Sequence, residues 1–153
     1  MKEDYMEKKE FKINISMPNL VNICVDKKED GEISGRIFHC YTVQPIYFCN
    51  VIELLKEMEA LYDHISFPQA STKSRSFKEK VFDGMVKKPE KVVSQAEIVQ
   101  HRGKLGSFVA GVIMRQNSTW QGELFWLEKE VKQRFANTLD FIKMLDSALS
   151  TIV

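Results

Sequence analysis

Apolar residues recur at every second position in several short stretches of this chain. Phe11, Ile13 and Ile15 alternate with polar neighbours, and so do Val21, Ile23 and Val25, the period of a half-buried strand. Met17-Pro18-Asn19 separates the two runs. The stretch KKEDG at 27–31 ends in Asp-Gly and predicts a hairpin loop. A third strand is predicted over 36–43, with Phe38 and Cys40 on one face and Ile37, His39 and Tyr41 on the other. A short fourth over 46–48 belongs at an edge, because Pro45 cannot donate to a ladder. The period then changes: Ile52, Leu55, Met58, Leu61 and Tyr62 follow helical spacing behind Asn50.

The second half repeats this order. Strands are predicted at 96–99, 108–115, 120–127 and 131–135, with turns at 116–119 and 128–130. A final helix starts at Asn137, with Leu139, Ile142, Leu145 and Leu149 as its buried stripe. The two halves align without a gap when Gly35 is placed on Gly122, a shift of 87 positions. Val25, Gly35, Phe38, Phe48, Asn50 and Lys56 then fall on Val112, Gly122, Phe125, Phe135, Asn137 and Lys143. Each helix opens with an Asn and has an acid three residues on, Glu53 or Asp140. That is the chemistry of an N-cap whose side chain takes an orphan amide while the acid reaches back. Small apolar Cys49 or Ala136 precedes the cap, and Leu54 or Phe141 follows it, which allows a hydrophobic staple.

The fold expected is α+β: a tandem repeat of four antiparallel strands followed by one helix, the two helices packed over the sheets. The first repeat spans 11–63, a basic connector 64–93, and the second repeat 94–153, all within one pseudo-symmetric domain. The connector carries seven basic residues against three acidic ones between Lys73 and Lys91, a net of +4, and 76–86 within it could form a short helix. A solvated linker explains it better than a binding arm.

Composition changes the picture little. Across 153 residues, 44% hydrophobic and 28% charged content is ordinary for a globular domain, and the net charge is +1. Near neutrality speaks against a strongly electrostatic partner. No apolar run reaches the length of a membrane span, and the polar start MKEDYMEKKE does not read as a signal peptide, so no membrane partner and a cytoplasmic location are expected. Cys24, Cys40 and Cys49 form no CxxC and read as reduced structural thiols.

Candidate chemistry is sparse. There is no Gly-rich phosphate loop and no GxSxG elbow. His39, His64 and His101 lack metal-ligand spacing. Cys49 beside a helix N-terminus could be an activated thiol with His39, but Ala136 fills the same place in the other half, so a staple residue is the better reading. No catalytic residue, metal or cofactor is therefore expected. One mixture stands out on the strands: Arg36, Tyr41, Tyr47, Arg115, Trp120, Trp126 and Arg134. Aromatics on a sheet can stack bases while Arg holds phosphates. The same residues could equally be cross-strand pairs and core.

Four strands then a helix, twice over about residues 11–151, resembles the Whirly and Pur-alpha families. In them, paired units bury their helices together and present sheets to single-stranded DNA or RNA. The resemblance implies a non-enzymatic module that binds single-stranded nucleic acid; it assigns no binding residues, and the seven residues above are candidates from the strand pattern alone. The stretches RQNSTWQGELFW and FANTLDFIKMLDSAL also look like small proteins of Firmicute bacteria, which implies a bacterial cytosolic protein. The alternative is a protein-interaction or assembly module, a homodimer or a partner of another protein, without nucleic-acid affinity. Strands apolar on both faces motivate it, since one helix layer covers one face of a sheet.

Overall fold

The computed structural model describes residues 17–69 and 89–150. Six antiparallel strands form one sheet in the order β3-β2-β1-β4-β5-β6. β1 (Val21–Glu29), β2 (Glu32–His39) and β3 (Ile46–Phe48) lead into helix α1 (Val51–Ile65). A single helical turn, α2 (Gln95–Ile98), precedes β4 (Gly106–Met114), β5 (Gln121–Trp126), β6 (Val131–Phe135) and helix α3 (Thr138–Ser150). The class is α+β; among the described residues each half has three strands leading into a long helix, and the second half has the single turn α2 as well.

One sequence expectation changes here, and two others fall on residues that are not described. The strand at 11–15 and the short helix at 76–86 lie outside the described residues. The strand at 96–99 is instead the helix α2. Ser94 caps it, its hydroxyl accepting from the Glu97 amide at 3.2 Å. The Ser94-Gln95-Ala96-Glu97 capping-box spacing carried that signal, but so short an apolar stretch shows no period.

Each helix begins by the same device. Asn50 Oδ1 accepts from the Glu53 amide at 2.8 Å, and Asn137 Oδ1 from the Asp140 amide at 2.7 Å. The acids reach back in turn, Glu53 to the Cys49 amide at 2.8 Å and Asp140 to the Ala136 amide at 3.1 Å. α1 ends where Ser66 turns left-handed and Phe67 N–H bonds back to Tyr62. The buried stripes are Leu54, Met58, Leu61, Tyr62 and Ile65 on α1, and Phe141, Leu145, Ala148 and Leu149 on α3. Ile52 and Leu139, expected in those stripes, are 65% and 58% exposed. Two residues span about 200° of helix, so with Leu54 and Phe141 turned inward they must face out.

The strand pairings match across the halves under the shift of 87. Val21 pairs His39 as Phe108 pairs Trp126, and Gly35 pairs Phe48 as Gly122 pairs Phe135. Both long hairpins slip by one residue at corresponding places, between Val25 and Lys27 and between Val112 and Met114. Both turn through two left-handed residues, Asp30-Gly31 and Asn117-Ser118, which suits the twist of a hairpin. Gly35 and Gly122 are both required, since a Cβ at either would collide with a carbonyl oxygen of the adjacent strand, Cys24 or Gly111. β1 and β4 join the halves, with Asn22 opposite Val109, the residue 87 places on.

Asn137→Ala should cost about 1 kcal/mol, because one helix amide loses its acceptor. Leu145→Ala, which opens the core, should cost about 2–5 kcal/mol. Leu139→Ala should fall within about 0.5 kcal/mol of wild type, as exposed positions do. Denaturant titration ranks the three; a Leu139 penalty equal to that of Leu145 would mean the buried face of α3 is misassigned.

Candidate functional site

Residues paired across a sheet point to the same side, so register sorts the seven candidate residues by face. Val21, Ile23, Val25, Ile37, Phe108, Ala110, Val112 and Leu124 take one side and form a single cluster with the buried stripes of α1 and α3. Trp126 lies on that helix side, its ring 5.8 Å from Phe108. Arg36 and Tyr47 are paired neighbours on the opposite face. Arg134, opposite Glu123 on edge strand β6, shares that face with them. Four strand spacings, roughly 19 Å, separate the strands of Arg36 and Arg134. Tyr41 is half-buried and packs between the core and a second cluster. Trp120 and Arg115 are each 4% exposed. The seven residues therefore do not form one surface.

The centre of the open face carries the chain's own segment 92–105. Asn22 donates to the carbonyls of Ile98 at 2.8 Å and His101 at 3.0 Å. The amides of Val92 and Val93 bond to the Cys40 carbonyl, and that of Leu105 to Val25. His101 stacks on Phe38 with ring centroids 3.7 Å apart. Ile98 packs with Cys24, Phe38 and Cys40. Arg36 spends its charge on Asp26 at 2.9 Å and on the Arg102 carbonyl. The apolar second side of the central strands is thus satisfied within the chain.

Arg115 and Trp120 serve an internal network that crosses between the halves. Arg115 reaches from the end of β4 to α1, donating to Glu59 at 2.9 Å, Asp63 at 2.7 Å and the Pro68 carbonyl at 2.6 Å. The Trp120 indole N–H donates to the other oxygen of Glu59 at 2.5 Å. Its ring meets Tyr62 of α1 and Phe141 of α3 edge-on, at 5.5 and 5.7 Å. The counterpart of the Arg115–Glu59 pair, 87 positions away, is Lys28–Asp146 at 3.7 Å. Lys28 also donates to Ser150, the counterpart of Asp63. Each helix is thereby tied to the hairpin of the other half, once by a buried guanidinium and once by a surface ammonium.

Burial or hydrogen bonding raises the three thiols and lowers His39. Burial pushes the Cys24 thiol up to about 12 and also raises Cys40. Cys49 is exposed, and its hydrogen bond to the Glu53 carboxylate raises it too, the reverse of an activated thiol. His39 is 7% exposed, and burial, with His64 nearby, lowers it to about 4. Its Nδ1 accepts the Tyr41 amide at 3.1 Å, which requires the neutral ring. Among the described residues, no three His, Cys, Asp or Glu side chains converge on a metal position.

Arg115→Ala should cost about 2–3 kcal/mol, the low end for a buried pair because its acids keep part of their surface in water. Lys28→Ala should cost under about 1 kcal/mol. Equal penalties in denaturant titration would remove Arg115 as the principal tie. His39 sets a pH dependence. Its folded value lies below the ordinary 6.5, so its contribution is complete above that pH and is lost as pH falls toward 4. The loss approaches roughly 3 kcal/mol. Urea midpoints of wild type and His39→Gln should diverge over this window, and parallel profiles would contradict it. No protein family, curated protein or solved structure matches the chain.

Proposed function

We propose that the chain is a tandem duplication of a strand–strand–strand–helix unit that works as a non-enzymatic protein-interaction module, with the β3 edge as its working surface. The coincident pairing registers and the two crossing ion pairs support the duplication. One observation carries the interaction reading. Val43, Tyr47 and Ile52, within ten residues around β3, are 68%, 72% and 65% exposed. The opposite edge, β6, instead displays Lys132, Gln133 and Arg134, the kind of charged edge that resists pairing.

The partner assigned to the β3 edge is a second copy of the chain. In a two-fold contact a patch meets itself. Apolar Val43, Tyr47 and Ile52 are compatible with their own image, whereas on β6 Arg134 would meet like charge and Lys132 is already paired with Glu123 at 3.2 Å. Single-stranded nucleic acid is the second reading, favoured by the side-by-side placement of Arg36 and Tyr47 on the open face. It is the weaker one, because Asp26 neutralises Arg36 and Trp120 and Arg115 lie inside.

Cys49 lies next to the β3 edge and is the exposed cysteine of the three. It therefore serves as a reporter of this contact. A flexible bis-maleimide should give a covalent dimer of wild type, and sedimentation should show concentration-dependent association. Tyr47→Asp and Ile52→Asp should abolish both. A protein that sediments as a monomer up to millimolar concentration, or variants that associate like wild type, would contradict the assignment. Salt-sensitive binding of a labelled oligonucleotide, lost in Arg36→Ala, would replace it with the nucleic-acid reading.

A further inference from the structure

Under the shift of 87 the two edge strands of the sheet correspond, and they differ in two ways. Pro45 falls on Lys132, and β3 begins only after it, at Ile46. β6 has no proline and runs for five residues, Val131–Phe135. Leu61 falls on Ala148, and in the second half a cavity of about 220 Å³ lies where α3 covers β5 and β6. Its lining runs outward from Phe108, 0% exposed on β4, to Val131 and Gln133 on the edge strand and Met144 and Ser147 on the helix. A backbone edge free of proline and a cavity that reaches it therefore occur together, in the half with Ala148 in place of leucine.

β6 ends the sheet, so alternate residues turn N–H and C=O groups outward with no strand to receive them among the described residues. Val131 to Arg134 are exposed. Register divides their side chains. Val131 and Gln133 lie on the helix side, opposite Trp126 and Leu124, where the cavity meets solvent. Lys132 and Arg134 lie on the open face. Glu123 holds Lys132 at 3.2 Å, and among the described residues Arg134 has no ion pair. Like charges across a strand pair repel, so a copy of β6 is turned away, whereas an acidic side chain opposite Arg134 is attracted.

We propose that β6 accepts an extended peptide of alternating apolar and acidic residues as a seventh strand. Its backbone continues the ladder, an apolar side chain enters the cavity beneath α3, and its acids face Arg134 and Lys132. This surface lies at the other end of the sheet from the β3 edge and does not depend on association there.

The probe is a labelled, end-capped peptide, Glu-Val-Glu-Val-Glu-Val-Glu, followed by fluorescence anisotropy beside a counterpart with lysine in place of glutamate. The acidic peptide should bind about three- to tenfold more tightly than the lysine peptide. Arg134→Glu should reverse that order. Proline at the peptide's central valine should abolish binding, because it removes a ladder donor. Ala148→Leu, which gives the cavity the first half's residue, should weaken binding several-fold. Should that variant fail to fold, Arg134→Glu decides, since Arg134 is exposed. In amide correlation spectra the acidic peptide should shift Val131–Phe135 and Met144, and Tyr47→Asp should bind it like wild type. No binding of either peptide, equal binding of both, an unchanged preference in Arg134→Glu, undiminished binding in a folded Ala148→Leu, or binding lost in Tyr47→Asp would each overturn the proposal.

Discussion

The pairing of β1 with β4 is the constraint on which the rest of the structure depends. Each half alone is a three-stranded sheet with one helix, too small to bury much apolar surface. Joined at Val21–Val25 and Gly106–Ala110, the halves become one six-stranded sheet with a continuous cluster on its helix side. The same pairing sets Arg115 beside α1 and Lys28 beside α3, so each helix is fastened to the half it does not belong to. Asn22, one residue from the middle of the seam, uses its side chain to hold the 92–105 segment on the other face. Backbone register, helix attachment and the cover of the second face thus meet at one strand pair.

The differences between the halves are as informative as their agreement. A buried Arg115 with two carboxylates and a tryptophan stands on one side, and a surface Lys28 with Asp146 and Ser150 on the other. A guanidinium can serve three acceptors in a fixed fork, which an ammonium in water has no need to do. His39 faces the core where Trp126 borders a cavity, and Leu61 fills what Ala148 leaves open. The first half is packed tightly where the second leaves space.

Much of the frame was legible in the sequence because it is local. Asn50 and Asn137 with their acids announce helix starts, Asp30-Gly31 announces a hairpin, and the alternation of Val21, Ile23 and Val25 announces β1. What was not legible depends on contacts distant in sequence. Nothing local shows that Arg115 and Trp120 turn inward to Glu59, because that needs the seam. Ile52 and Leu139 fit a helical period as well as their neighbours do; only the orientation set by Leu54 and Phe141 turns them outward. The seven aromatic and basic residues looked like a single set along the chain, and the sheet divides them between two faces, two edges and the interior.

The most direct test is the register of the central seam. Nuclear Overhauser contacts in the folded protein should connect Val21 with Ala110, Asn22 with Val109 and Ile23 with Phe108. That set places Asn22 opposite its own counterpart 87 positions on, sets Val21 and Ile23 each opposite the counterpart of the other, and holds both helices on one face. Contacts displaced by one residue, or β1 paired to any strand other than β2 and β4, would reverse the faces and contradict the account.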